Sequence, residues 1–134
     1  MFSHYLIFNR NCAEALEVYA KAFGAEIIEV KKYGDIPNPG FPISEEDKNL
    51  VLNSRLKLDN MEIMLADSTK NVQFGDNMYV SITTHDSSLV KRAWEALKAD
   101  GTIYMELGST FFSELHGSLQ DKFGVNWMFT AIKQ

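Results

Sequence analysis

The chain repeats one structural pattern twice, and that repetition constrains its fold more than any single residue does. Each half reads as a strand, a capped helix and three further strands, and the halves meet near Phe74-Gly75-Asp76. A duplicated supersecondary unit dictates architecture, because both copies must bury their apolar surfaces in the same way. The reading places one module at about residues 1–73 and a second at about 76–134 of a single 134-residue domain. It also expects a binding surface in the concave face that the two copies share.

The first copy opens with an apolar strand at Ser3 to Phe8. Asn11 is the expected N-cap of a helix, with Glu14 completing a capping box. Leu16, Tyr19, Ala20 and Phe23 follow at i, i+3, i+4 and i+7, one buried helical face. Gly24 then ends the helix, and Ala25 to Lys32 resumes extended structure. The second copy repeats these events. Met78 to Thr84 reads as a strand, and Asp86 as an N-cap. Val90, Ala93, Trp94 and Leu97 form the helical face, Gly101 is the expected stop, and Thr102 to Glu106 is extended. Strands at Leu50 to Leu58 and Met61 to Ala66 flank an Asp59-Asn60 turn, and strands ending at Gln120 and starting at Val125 flank Asp121 to Gly124. The long loop from Gly34 to Asp47 holds all three prolines and reads as either a binding loop or a plain insertion.

Charge narrows the partners. A net charge of -5 disfavours nucleic acid and anionic membrane, both polyanions. No apolar run is long enough to span a bilayer, and one cysteine cannot form an internal disulfide, so a cytoplasmic location is the expectation. Phosphate-cradling glycine loops, Cys/His zinc patterns and nucleophile elbows are all absent. Cys12 opens the first helix, where the dipole lowers a thiol pKa, but no histidine neighbours it in sequence.

Several residues together resemble the vicinal oxygen chelate superfamily, which includes glyoxalase I, bleomycin-resistance proteins and extradiol dioxygenases. They are Tyr5-Leu6-Ile7-Phe8, Asn11-Cys12-Ala13-Glu14-Ala15, Tyr19, Phe23-Gly24, Met64-Leu65-Ala66-Asp67 and, most specifically, Asp121-Lys122-Phe123-Gly124-Val125-Asn126-Trp127. The chain is most similar to the PhnB-like branch, sometimes labelled by its similarity to a demethylubiquinone methyltransferase. The resemblance implies an α+β fold of two tandem βαβββ modules forming a cupped mixed sheet, in a homodimer. Three positions depart from the branch: Arg10 stands where Gly is common, Asn53 where His is common, and Phe112-Ser113 where Trp-Gly is common.

Strand alternation sorts side chains between a helix-packed face and a cup-lining face. Val125, Trp127 and Phe129 suit the core, which turns Asn126, Met128 and Thr130 to the cup. Val80 and Ile82 likewise leave Tyr79, Ser81 and Thr83 facing it. Ile63 and Leu65 leave Glu62 and Met64, and the same logic assigns Tyr5 and Ile7 to the core with His4, Leu6 and Phe8 lining the cup. Phe112 and His116 border the expected pocket. The superfamily's four metal-ligand positions fall by resemblance on His4, Met64, Tyr79 and Met128. Only His4 is a good ligand for zinc or nickel, so no metal and no cofactor are expected. A His4, Glu62 and His116 site is the one conceivable substitute.

Three functions follow. The first is a metal-free protein binding an apolar or aromatic small molecule in a pocket of His4, Leu6, Phe8, Glu62, Met64, Tyr79, Ser81, Phe112, His116, Asn126 and Met128. The second is a metal-dependent lyase, isomerase or dioxygenase of the glyoxalase type with non-standard ligands. The third is a structural or interaction dimer whose cup is filled by its own side chains.

Overall fold

Side chains alternate across a strand, which gives each strand one face to bury and one to leave free, and a helix covers the buried face. The computed structural model describes residues 2–133, and the chain divides after Val72 into two compact units. The first unit contains β1 (His4–Phe8), α1 (Cys12–Phe23), β2 (Glu26–Lys32), β3 (Val51–Leu58) and β4 (Met61–Asp67). Its four strands lie in the order β1-β4-β3-β2, with β1 parallel to β4 and the other pairs antiparallel. The second unit contains β5 (Val80–Thr84), α2 (Ser87–Lys98), β6 (Thr102–Gly108), β7 (Leu115–Gln120) and β8 (Asn126–Ala131). Its order, β5-β8-β7-β6 with β5 parallel to β8, repeats the first. Each unit is therefore a βαβββ module in an α+β protein.

Both helices bury the stripe that their periodicity announces. Val90, Ala93, Trp94 and Leu97 of α2 are all buried, and Trp94 meets Phe129 of β8 edge-on at 6.0 Å. In α1 the stripe is rotated slightly: Cys12, Ala15, Leu16, Tyr19 and Ala22 are buried, while Ala20 and Phe23 are half-buried. Leu56, Ile63 and Leu65 are fully buried in the same unit, and each contributes roughly 2 kcal/mol through apolar burial.

Helix ends follow the sequence in part. Asp86 caps α2 by accepting the Leu89 N–H at 3.1 Å, and Gly24 closes α1 in the left-handed region at φ 61. The expected Asn11 to Glu14 capping box does not form. Asn11 stands at the N-cap without a side-chain capping hydrogen bond, and the start of the helix is held by the Cys12 N–H donating to Asp67 Oδ1 of β4 at 2.9 Å. Asp67 Oδ2 also accepts the Val51 N–H, so one carboxylate holds the start of α1 and the start of β3. Gly101 is not what stops α2. Asp100 takes the left-handed turn at φ 58, and Gly101 is needed because a side chain there would strike the Gln120 carbonyl.

The Asp121 to Trp127 cassette is a self-contained turn between β7 and β8. Asp121 Oδ1 accepts the Phe123 and Val125 N–H groups at 2.9 and 3.0 Å, and Oδ2 accepts the Trp127 indole N–H at 2.9 Å. Gly124 lies at φ 92 with the Phe74 ring where a β-carbon would stand. These contacts explain why the cassette reads as a fixed unit: nearly every residue in it has a structural partner.

The Gly34 to Asp47 loop is tied down rather than loose. Tyr33–Asp35 and Glu45–Asp47 form 3₁₀ turns, and the Gly34 N–H donates to the Lys48 carbonyl at 2.9 Å. The Arg10 guanidinium reaches Asp47 Oδ1 at 2.7 Å, and Tyr33 meets Phe41 edge-on at 6.1 Å. No described helix is long and apolar enough to cross a membrane.

Candidate functional site

In each unit the sheet face opposite the helix is the one free to meet a ligand. On the first unit, β4 behaves as its pattern requires: Ile63 and Leu65 are fully buried, and Glu62 and Met64 turn to the helix-free face. The assignment of β1 is corrected. Phe8 is fully buried, with its ring 6.3 Å from that of Tyr19 in α1, so it belongs to the core. Alternation then places His4 and Leu6 on the helix side with Phe8. The parallel register, Tyr5 opposite Met64 and Ile7 opposite Ala66, puts Tyr5 and Ile7 on the helix-free face. His4, Leu6 and Phe8 therefore do not line that face, whereas Tyr5 and Ile7 do, at 49% and 43% exposed.

The same face carries a charged ladder that strand-by-strand reading of apolar residues passed over. Arg55 of β3 pairs with Glu62 at 3.0 Å and with Glu29 of β2 at 3.4 Å, and Lys31 pairs with Glu29 at 3.4 Å. Its signal was present in the Asn53, Arg55, Lys57 alternation of β3. Asn53 Oδ1 is buried with no hydrogen-bond partner.

The second unit places its residues as alternation requires. Tyr79 and Ser81 lead into and along β5, and Met128 and Thr130 lie opposite Ser81 and Thr83 in register. His116 and Ser118 of β7 pair with Thr130 and Met128. Asn126 is on this face too, but its amide is fully occupied. It donates to the Gly75 and Met78 carbonyls at 2.9 Å each and accepts from the Tyr104 hydroxyl at 3.0 Å and Gln120 Nε2 at 3.2 Å. Asn126 is thus a staple for the segment before β5, with no donor or acceptor left to offer a ligand. Tyr104, which sequence reasoning missed, meets Tyr79 edge-on at 6.0 Å, and burial raises its phenol above the ordinary pKa. Phe112 meets the His116 ring at 5.2 Å, and His116 Nδ1 is 3.0 Å from Thr130 Oγ1.

The residues do not fit a divalent metal. His4 and Glu62 project from opposite faces of the first sheet, so the conceivable His4, Glu62 and His116 set cannot close on one ion. Met64, Met128 and Tyr79 offer thioethers and a neutral phenol, which bind hard or borderline cations poorly. Among the described residues, no three His, Cys, Asp or Glu side chains are grouped to hold a metal. Nor is Cys12 an activated nucleophile. Burial first, and the Asp67 carboxylate second, push its thiol up to about 12, outweighing a hydrogen bond with Ser54.

Two βαβββ modules of this topology define a glyoxalase/bleomycin-resistance-type protein of the vicinal oxygen chelate superfamily. The fold is similar to that of FosX, a fosfomycin resistance protein from Listeria monocytogenes solved with Mn(II), at a TM-score of 0.64 and 13% identity over 98% of this chain and 91% of that one. Within that class, the chain belongs to the family described as 3-demethylubiquinone-9 3-methyltransferase, whose model matches residues 1–130. It is 29% identical to protein YjdN of Escherichia coli strain K12, covering 98% of this chain and 95% of the relative. It is also similar to a putative 3-demethylubiquinone-9 3-methyltransferase, PhnB protein, from Bacillus cereus. That match has a TM-score of 0.79 and 29% identity, over 96% and 97% of the two chains.

Proposed function

We propose that this protein binds an apolar or aromatic small molecule on the helix-free faces of its sheets, without a metal, as a homodimer. The observation that carries the reading is the make-up of those faces. Tyr5, Ile7 and Met64 in one unit and Tyr79, Tyr104, Phe112 and Met128 in the other put aromatic and thioether surface where no helix covers it. Such a lining, with a few polar anchors, suits a flat apolar ligand, and methionine adapts to its outline. Glu62, Ser81 and His116 are the polar groups placed among them. The Tyr5, Ile7 pair takes the part first assigned to His4, Leu6 and Phe8.

The test is a thermal-shift screen of uncharged aromatic compounds in buffer containing a chelator. A binder of the native state should raise the melting temperature with a dependence on free ligand that follows mass action. Met128→Lys, which sets a charge on the face, should abolish the shift while leaving the unliganded melting temperature within a few degrees. Shifts that appear only after a divalent metal is added, or none with any compound, would defeat the reading.

A further inference from the structure

The helix-free face of the second unit differs from that of the first in one respect that bears on what it can hold. None of its four strands contains Lys or Arg, and Glu106 is their sole carboxylate. The first unit's face, by contrast, carries Arg55, Lys31, Glu29 and Glu62 in a paired ladder. A carboxylate or phosphate laid on the second face would lose water and gain no counter-charge, a penalty far larger than one hydrogen bond returns. This face therefore offers nothing to balance an anion.

Its polar recognition point is His116. Nδ1 is committed to Thr130 Oγ1 at 3.0 Å, which fixes the ring plane and leaves Nε2 as the ring's remaining hydrogen-bonding atom. Phe112 stands edge-on to that ring at 5.2 Å, and Phe112 is itself held by a tight turn. Thr110 Oγ1 lies 2.6 Å from Ser113 Oγ and accepts the Ser113 N–H at 3.0 Å, while the Thr110 N–H donates to the Ser113 carbonyl at 3.1 Å. Phe112 is nevertheless 49% exposed, so a rigid turn displays an aromatic ring to solvent beside an oriented imidazole. The other polar groups nearby, Ser81 and Ser118, are neutral hydroxyls on strands flanking Met128.

We infer that His116, oriented by Thr130, is the specificity-determining residue for an uncharged aromatic ligand with a hydroxyl-type edge, its ring packed against Phe112 and Met128. A hydroxyl both donates and accepts, so it pairs with Nε2 in either tautomer that the Thr130 contact sets. This rests on the small-molecule reading above and adds the ligand's charge and the residue that reads it.

The test titrates the full chain, isotopically labelled, with four probes followed by amide chemical shifts: 1-naphthol, naphthalene, 1-methoxynaphthalene and 1-naphthoate. The expected order places 1-naphthol about tenfold tighter than naphthalene, the worth of one hydrogen bond, and 1-methoxynaphthalene reports the tautomer, matching 1-naphthol where Nε2 donates and naphthalene where Nε2 accepts. The anionic 1-naphthoate should be weakest of all. His116→Phe keeps a ring and removes the hydrogen bond, so 1-naphthol should fall to the affinity of naphthalene. Thr130→Val, which leaves His116 in place but unanchored, should weaken 1-naphthol several-fold and leave naphthalene unchanged. Naphthalene binding with no hydroxyl advantage, an advantage that survives His116→Phe, or 1-naphthoate matching 1-naphthol would each overturn this inference while leaving small-molecule binding intact. Failure of every probe would overturn both.

Discussion

Asp121 shows how one side chain can make a segment look functional when its work is structural. Its carboxylate is buried and accepts two backbone N–H groups and an indole N–H, all at 2.9 to 3.0 Å. Hydrogen bonds to a charged acceptor are worth more than neutral ones, and each buried donor left without a partner carries its own desolvation cost. Asp121→Ala should therefore destabilise the protein by about 4 kcal/mol, a large share of a small domain's total. Asp121→Asn keeps an oxygen for the two amides but turns an N–H toward the Trp127 indole, and should cost about 2 kcal/mol. Urea unfolding midpoints check both. A loss below about 1 kcal/mol for the alanine variant would mean that water or a shifted turn replaces the carboxylate, and this account of the cassette would fail. The same scale separates the candidate site's real options from its decoys. Asn126 has the strand parity of a pocket residue but is buried and hydrogen-bonded as a staple, whereas His116 keeps one ring nitrogen uncommitted to Thr130.

At the scale of elements, the long loop depends on Arg10. That residue follows β1 at φ 68, a backbone region that L side chains enter at a cost of about 1 kcal/mol. Arg10 accepts this conformation while its guanidinium reaches Asp47 at 2.7 Å and the Glu46 carbonyl at 3.4 Å, joining the end of β1 to the far end of the loop. The Arg10 hydrogen bond holds the Asp47 carboxyl below its ordinary value of 3.8. A carboxyl that is a stronger acid in the folded state stabilises fully above its unfolded pKa, and that contribution drains away as pH falls through the lower folded one. The tether should thus be intact at neutral pH and loosen only in acid below about pH 4. Asp47→Asn should mimic the acid state at pH 7, speeding amide hydrogen exchange across residues 34–47 and leaving the amides of β3 and β4 protected. Unchanged exchange in the loop would show that Tyr33, Phe41 and the backbone bonds suffice to hold it. This tether, like the start of α1, was not legible in the sequence, because its partners are distant. Asn11 has the right local chemistry for a cap, yet its side chain makes no capping bond, and Asp67, 55 residues from Cys12, holds the Cys12 N–H that no N-cap side chain would have taken. The face of β1 was illegible for a different reason. Tyr5, Leu6, Ile7 and Phe8 are all apolar, so the strand carries no alternation, and only the packing of Phe8 on Tyr19 decides its parity. Strands with a polar alternate position, β4, β5 and β8, were readable for that very reason.

For the whole molecule, the duplication was legible because each copy must solve the same burial problem, and spacing alone records the solution. The ligand was not, since it depends on which side chains reach the free faces and on what charge surrounds them. The chain also exposes large apolar side chains on its edge strands. Ile28 and Val30 on the edge strand β2, Ile103 and Met105 on the edge strand β6, and Phe111 beyond it are 36% to 95% exposed. Exposed apolar side chains on an edge strand suit it to an interface, and register shifts in both pairings, β2 with β3 and β6 with β7, guard those edges against indiscriminate strand addition. A chain of net charge -5 repels its own copies at long range, so a homodimer of it would be held by apolar burial at short range. Sedimentation equilibrium should therefore give twice the chain mass of 15.2 kDa at micromolar concentration. Raising the salt should tighten the dimer, since it screens the like-charge repulsion and leaves the apolar term in place. Val30→Glu and Met105→Glu, at the two edges, should each be tried, and the one lying in the interface should yield a folded monomer. A wild-type chain that stays monomeric under these conditions would show that these exposed side chains serve a different partner or none, and the homodimer would have to be given up.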